Sequence, residues 1–231
     1  MDIILALTKE LNVEKWQIEA AVKLIDEGNT IPFISRYRKE VTGALNDEVL
    51  RNLNDRLTYL RNLEEKKTQV LSSIEEQGKL TEELKKQILE AQTLVVVEDL
   101  YRPYRPKRRT RATIAKEKGL EPLANIILLQ MTDKSLEEEA KAFVSEEKEV
   151  ATVEEAISGA KDIVAESISD KADYRSEIRE RTFRKGMLVS TAKKPEETSV
   201  YEKYYEYEER VEKMPGHRVL AINRGEKEKF L

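Results

Sequence analysis

The sequence has no cysteine and only one histidine, and each scarcity removes a class of chemistry. Without cysteine there is no disulfide framework, no thiolate metal site and no thiol nucleophile. His217 follows Pro215-Gly216, and no serine or cysteine motif accompanies it to make it a general base. The sequence contains no GxGxxG or P-loop motif, and its acidic runs lie at adjacent helix positions that point to different sides. We therefore predict a chain that is not an enzyme and that binds neither a metal ion nor a cofactor.

Long apolar segments are also missing. The longest runs, Leu94–Val97 and Ile126–Leu129, are far shorter than the roughly 20 residues that a membrane-spanning helix needs. The N-terminal sequence MDIILALTKELNVEKW lacks the basic start and the cleavage site of a signal peptide. Charged residues make up 37% of the chain. These features predict a soluble, cytoplasmic protein with no membrane partner.

The chain does contain a basic island, the name used here for residues Tyr101 to Lys118. It holds eight Lys or Arg and one acid, Glu117, for a local charge of +7. Because the whole chain sums to −4, the remaining residues carry −11. Pro103 and Pro106 exclude a helix interior, so we expect an extended segment that directs its cations outward. The predicted nucleic-acid-binding residues are Arg102, Arg105, Lys107, Arg108, Arg109 and Arg111.

Two interpretations of the basic island stay open. Arginine binds phosphate through its bidentate fork, which favours nucleic acid as the partner. Alternatively, the cations pair with acids of the same chain and hold the segment in place. Tyr101 and Tyr104 present a similar choice, because they can stack on bases of a single strand or pin the proline-rich segment onto the helices. For the two tyrosines we favour pinning.

Two further clusters, one basic and one rich in tyrosine, allow a similar choice. Ser35-Arg36-Tyr37-Arg38-Lys39 is a smaller basic cluster, in which we expect Arg36 or Arg38 to pair with an acid. Surface pairs of this type contribute about 0–1 kcal/mol. A second cluster places four tyrosines among glutamates that would repel phosphate, so we interpret them as packing or protein-contact residues: Tyr201, Tyr204, Tyr205 and Tyr207.

Helix caps and glycine stops predict a mostly helical, all-α fold. Asn12 is expected to begin a helix that ends at Gly28 and buries Val13, Trp16, Ala20, Ala21, Leu24 and Ile25. This helix and the next, joined at Gly28-Asn29, resemble a helix-turn-helix arrangement. Further helices are predicted to begin at Asn46, Thr81, Ser135 and Thr152 and to span Ala172–Lys185. We expect at most one short strand, at 187–190, and the high charge favours an elongated multi-helix body.

The predicted helix from Asp47 to Gln77 has five leucines and Ile74 on two heptad registers, which are interrupted at Glu64 and Lys67. A coiled coil needs an uninterrupted seam over several heptads. We therefore expect this helix to pack on other helices of the same chain, with homodimerisation as the less favoured alternative.

Three long, irregular blocks resemble the bacterial Tex (transcription accessory) family. They are IPFISRYRKEVTGALND (31–47), LYRPYRPKRRTRATIAKEKGLEPLA (100–124) and KMPGHRVLAINRGEKE (213–228). The resemblance covers essentially the whole chain. It implies a helical N-terminal region, assigned to residues 1–190, and a connector over residues 191–231. It also implies an RNase H-like domain, helix-hairpin-helix modules and an OB-fold RNA-binding domain beyond Leu231, so we expect the chain to be an N-terminal fragment.

The resemblance implies a non-catalytic scaffold that is associated with RNA or DNA in the full-length protein, mainly through domains beyond this sequence. The alternative is a protein-interaction module that contacts the transcription machinery without binding nucleic acid. For the fragment alone this alternative is almost as good, because its net charge is −4 and binding modules usually concentrate more positive surface. Any nucleic-acid affinity of the chain itself is predicted to be weak, independent of sequence and strongly dependent on salt.

Overall fold

A computed structural model describes residues 2–231 and divides the chain into two units. The first unit ends at Pro106 and the second begins at Lys107, so the boundary lies inside the basic island. The described residues are mostly helical, with one two-stranded sheet, which confirms the predicted all-α class. None of the described helices is both long enough and apolar enough to cross a membrane.

The described part of the first unit contains six α-helices. They are α1 (Ile3–Leu11), α2 (Lys15–Asp26), α3 (Ile31–Tyr37), α4 (Asp47–Glu76), α5 (Glu82–Glu90) and α6 (Leu94–Tyr101). Two predicted caps are present: Asn46 accepts a hydrogen bond from the Val49 amide at 2.8 Å, and Thr81 accepts one from the Leu84 amide at 3.2 Å. Gly78 follows α4 with a φ of +66°, the conformation of a helix stop that glycine allows without strain.

The prediction that Asn12 begins a helix is wrong. Asn12 adopts a left-handed conformation (φ 52°) and ends α1, where its amide donates to the Thr8 carbonyl. The next helix follows Glu14, whose amide donates to Gln17 Oε1 at 3.4 Å. Asparagine favours both N-caps and left-handed helix ends, so its residue type could not decide between them. Trp16, expected in the buried face of α2, is about half exposed.

The long helix α4 organises the first unit. Its apolar residues form one buried stripe: Leu50, Leu53, Leu57, Leu60, Leu63, Val70 and Ile74. This stripe packs against helices α1, α2, α3, α5 and α6. Helices of the same chain therefore cover the heptad face, which confirms the predicted intrachain packing and leaves no free seam for a second copy.

The described part of the second unit contains six α-helices and a β-hairpin. The elements are α7 (Arg111–Glu117), α8 (Glu121–Leu129), α9 (Leu136–Ala140), α10 (Val153–Ser169), α11 (Ala172–Lys185), β1 (Met187–Thr191), β2 (Glu206–Arg210) and α12 (Gly216–Lys227). Helix α10 packs against α7, α8 and α9 around a small core. Gly159 permits this close packing, because a Cβ there would lie 2.5 Å from Leu120 Cδ1. The predicted caps at Ser135 and Thr152 and the predicted span of α11 are all confirmed.

The predicted strand at 187–190 is confirmed as β1, but its partner β2 was not predicted. The two strands are antiparallel, with Met187 opposite Arg210 and Thr191 opposite Glu206. Strand β2 has the sequence EYEER, in which charged residues stand where a strand usually carries β-branched or aromatic ones. The pairing with β1 and the ring of Tyr207 therefore define a strand that residue propensity alone does not indicate.

Candidate nucleic-acid interface

In the first unit, the basic island begins at the end of α6, and two tyrosines fasten it there. The Tyr101 hydroxyl lies 2.9 Å from Ser73 Oγ, and Gln77 Nε2 donates to the Tyr104 carbonyl at 2.9 Å. Both rings are partly buried against the core around α4. The structure thus confirms that the tyrosines pin the proline-rich segment, and it leaves neither ring free to stack fully on a base.

Arg102 and Arg105 follow this anchor with exposed side chains. Arg102 continues the helical geometry of α6, because its amide donates to the Glu98 carbonyl at 3.0 Å. The prediction of extended backbone is therefore wrong at this position. Arg105 lies 3.8 Å from the Glu98 carboxylate, which also binds Lys66 at 2.7 Å. The Arg105 pair is long and exposed, so it holds the guanidinium only loosely.

In the second unit, Lys107 is fastened to helix α10 and its C-terminal cap. Its ammonium donates to Glu166 at 3.0 Å and also to the Asp170 carboxylate. Burial alone would lower the pKa of Lys107, but the hydrogen bonds from Lys107 to the two carboxylates raise that pKa above its ordinary value. The Lys107 side chain is only 29% exposed. These contacts make Lys107 a structural latch, as the second interpretation of the basic island expected.

The three arginines that follow the latch are exposed. Arg109 pairs with Glu117 at 2.7 Å, and Arg111 lies 3.5 Å from Asp162 with 86% of its side chain exposed. The described residues supply no acidic partner for Arg108. Arg111 is the first residue of α7, so the prediction of extended backbone is wrong there as well. The residues between Arg105 and Arg111 belong to no helix or strand, and among them Thr110 has extended backbone.

The basic island therefore contains two kinds of cation. Exposed ion pairs contribute about 0–1 kcal/mol, so an incoming phosphate can replace the carboxylates beside Arg109 and Arg111 at little cost. Lys107 would have to leave two partly buried carboxylates, which is much less favourable. Sequence reasoning did not find this difference, because the partners of Lys107 lie 59 and 63 residues further along the chain.

In contrast to Lys107 of the basic island, the cations of the smaller basic cluster form no ion pair with a described residue. Arg36, Arg38 and Lys39 are all exposed, and no described residue supplies an acidic partner for any of them. The expectation that Arg36 or Arg38 pairs with an acid is therefore wrong. Three carboxylates of the first unit, those of Glu10, Asp26 and Asp47, bind arginines of α4 instead.

The tyrosine-rich segment near the C-terminus is a packing element, which confirms that prediction. Tyr201 and Tyr204 are buried, and the Tyr205 hydroxyl donates to the Ser199 hydroxyl at 2.9 Å. Tyr207 donates to Glu209, which Arg218 also binds at 2.8 Å. The hydrogen bond from Tyr207, followed by those from Arg218, lowers the pKa of Glu209. These contacts tie β2 to α12.

His217 lies exposed in the first turn of α12. Within residues 2–231, no three His, Asp or Glu side chains lie close enough together to hold a metal ion.

Two family models match the chain. The model described as "Tex-like protein N-terminal domain" matches residues 1–75, and the model described as "Tex central region-like" matches residues 132–231. The basic island lies between the two matched ranges.

Relatives extend the similarity over the whole chain. An uncharacterized protein, YdcI, of Bacillus subtilis is 49% identical over 97% of this chain. The transcriptional accessory protein Tex of Neisseria gonorrhoeae is 42% identical over 100% of the chain. The human S1 RNA-binding domain-containing protein 1 is 30% identical over 100% of the chain. The chain spans 32%, 30% and 24% of these three relatives, respectively.

Proposed function

The chain belongs to the Tex family, and from this membership we propose that it is the helical, non-catalytic N-terminal scaffold of a transcription accessory protein that associates with nucleic acid. One relative is named as a transcriptional accessory protein, and another is named for an S1 RNA-binding domain. These names support a cytoplasmic role beside the transcription machinery. The chain spans about a third or less of these relatives. That further domains follow residue 231, and that they have an activity of their own, is therefore also proposed.

Within this chain, we assign phosphate contact to the exposed arginines of the basic island. In the second unit these are Arg108, Arg109 and Arg111, and in the first unit Arg102 and Arg105 are assigned the same role. The observation that carries the assignment is the exposure of Arg108. Its guanidinium has no acidic partner in the described chain, and the ion pair of the neighbouring Arg109 is exposed. Lys107, the sixth predicted residue, is assigned a positioning role, because it is latched to Glu166 and Asp170.

A binding comparison at low salt tests this assignment. The variant R108A/R109A/R111A is compared with the wild type by fluorescence anisotropy of labelled single-stranded and duplex oligonucleotides. Loss of three charge-assisted contacts is expected to weaken binding by at least about tenfold for every sequence. The matched control K134A/K141A/K161A removes the same charge from exposed positions of the second unit. Equal weakening in both variants would show that the loss of affinity comes from the change in net charge alone, and it would contradict the assignment.

The non-catalytic part of the proposal has its own test. Labelled RNA and DNA are incubated with the chain and Mg²⁺, and no cleavage above a buffer blank is expected. Cleavage that is lost on substituting residues of this chain would contradict a scaffold role.

The second candidate function, a protein-interaction module, is favoured by exposed apolar side chains on consecutive elements of the second unit. Helix α11 has no buried residue among its fourteen, all of which the structure describes. Ile178 and Phe183 on α11 and Val189 on β1 are each more than half exposed. Where such side chains form one contiguous surface, that surface is typical of protein contacts. If I178S/F183S weakens binding to purified RNA polymerase while leaving oligonucleotide binding unchanged, this candidate gains over the first.

A further inference from the structure

The smaller basic cluster is carried by a turn of the first unit that is tightly held. Between α3 and α4 the chain forms turns over residues 39–43, and Thr42, which is fully buried, donates from its hydroxyl to the Arg38 carbonyl at 3.2 Å. Gln17 on α2 donates from its side chain to the carbonyls of Thr42 and Gly43, at 3.1 and 3.0 Å. The turn is therefore fixed to α2 by hydrogen bonds.

Gly43 shows how closely α2 covers this turn. Its φ is +63°, and a Cβ added there would lie 2.5 Å from Trp16 Cη2 and also meet the Gln17 side chain. A larger residue would force the Gln17 and Trp16 side chains or the turn to shift, and it would strain the backbone at this positive φ. The backbone that presents the basic cluster is thus a rigid platform rather than a mobile loop.

This platform presents four consecutive exposed side chains, Arg36 to Lys39. Tyr37 is 66% exposed, and its ring contacts only one aromatic neighbour, Phe33, at a centroid distance of 5.4 Å. The Arg38 guanidinium lies 5.1 Å from the centroid of the same Phe33 ring. Phe33 therefore orders both side chains, because Tyr37 and Arg38 each pack against it.

The charge of the platform is not neutralised by the fold. Arg51, Arg56 and Arg61 of α4 each bind a carboxylate, at Asp47, Glu10 and Asp26 respectively. In contrast, the described residues give Arg36, Arg38 and Lys39 no such partner. The exposed carboxylate of Glu40 is adjacent in sequence, so residues 36–40 carry a net +2. Part of this charge suits the C-terminal end of α3, where the helix dipole favours cations, but the dipole does not account for an exposed aromatic ring among them.

We propose that Arg36, Tyr37 and Lys39 form a binding site for single-stranded nucleic acid. The ring of Tyr37 stacks on an unpaired base, and the two cations contact the flanking phosphates. A single strand fits better than a duplex, because only unpaired bases offer their faces to an aromatic ring. The site is distinct from the basic island, uses none of its residues and does not depend on the assignments made there.

The test uses two strands of equal length, oligouridylate and an abasic strand with the same number of phosphates. At low salt, Tyr37→Ala is expected to weaken binding of oligouridylate by about 5- to 150-fold, which corresponds to the loss of about 1–3 kcal/mol for one stacked base. Binding of the abasic strand is expected to stay within about twofold of the wild type, because it offers no base to stack. Tyr37→Phe keeps the ring and should retain the wild-type affinity for both strands.

The cations are tested on the same strands. R36A/K39A is expected to weaken binding of both, whereas Arg51→Ala, which removes an exposed and paired arginine of α4, should change neither. Thermal melting of each variant confirms that the fold is retained. Wild-type affinity of Tyr37→Ala for oligouridylate would overturn the proposal. A second result would also overturn it: an acidic peptide binds, this binding is lost in R36A/K39A, and Tyr37→Ala binds oligouridylate normally. The platform would then recognise a protein.

Discussion

At the residue scale, Lys67 explains why the heptad pattern of α4 is interrupted. Its side chain is only 2% exposed, and its ammonium donates to Glu64 at 2.8 Å and to the Leu89 carbonyl at 2.9 Å. Burial by itself would raise the pKa of Glu64, but its hydrogen bond from Lys67 contributes to a net lowering. The two polar residues that break the seam are therefore one ion pair, which also satisfies a carbonyl of the last turn of α5.

Replacing Lys67 is expected to destabilise the first unit strongly. Lys67→Ala removes a buried side chain and leaves the Leu89 carbonyl without its donor, so we expect a loss of about 3 kcal/mol in the free energy of unfolding. The neighbouring Lys66→Ala removes a partly exposed pair with Glu98 and no buried ammonium, and it should cost about 1 kcal/mol. Urea denaturation measures both. Equal losses in the two variants would show that Lys67 has no special role.

Lys107 is the second residue for which structure and charge give a definite expectation. Lys107→Ala leaves the carboxylates of Glu166 and Asp170 without their shared cation. Because the group is only partly buried, we expect a loss of about 1–2 kcal/mol in stability. Nucleic-acid binding at low salt should change far less than in R108A/R109A/R111A. A variant that melts like the wild type but no longer binds would instead place Lys107 on the phosphate.

At the element scale, two arginines of α4 bind the C-terminal ends of α1 and α2. Arg56 binds Glu10, with one contact at 2.7 Å, and Arg61 binds Asp26 through two contacts of 2.7 and 2.8 Å. In each case the hydrogen bond from the arginine is the main cause that lowers the pKa of the carboxylate. These two clamps hold the first two helices on α4.

Because both carboxylate pKa values are lowered on folding, the clamps should stabilise the protein above the ordinary carboxylate range and lose this effect as the pH falls through the lowered values. All four side chains are about a third exposed or more, so each clamp is worth about 1 kcal/mol or less. E10Q/D26N should therefore be less stable than the wild type near pH 6, and the difference should shrink towards about pH 3. Urea denaturation at both pH values checks this, and a constant difference would contradict it.

The helices could largely be predicted from the sequence, and the exceptions have physical causes. The caps at Asn46, Thr81 and Ser135 were identified because a capping side chain acts on its own helix within three residues. Asn12 was misread because the same residue type ends helices as readily as it begins them. Strand β2 was missed because its pairing with β1, and not its residue propensity, makes it a strand.

At the scale of the whole molecule, the distribution of charge matters more for nucleic-acid binding than the net charge does. The sequence predicted the basic island and its arginines but could not show which cations the fold neutralises. That outcome depends on contacts such as Lys107 with Glu166, which are distant in sequence, and on the lack of an ion-pair partner for Arg36 among the described residues. A chain with a net charge of −4 can therefore still expose local cationic sites, and its affinity for nucleic acid is expected to be weak and sensitive to salt.

The salt dependence of duplex binding tests the central claim, phosphate contact by the exposed arginines of the basic island, most directly. Each phosphate contact on a duplex contributes about −0.9 to the slope of log K against log salt concentration. R108A/R109A/R111A should therefore flatten the wild-type slope by up to about 2.7, whereas Lys107→Ala should leave it nearly unchanged. An unchanged slope in the triple variant would contradict the account, because the three arginines would then contact no phosphate.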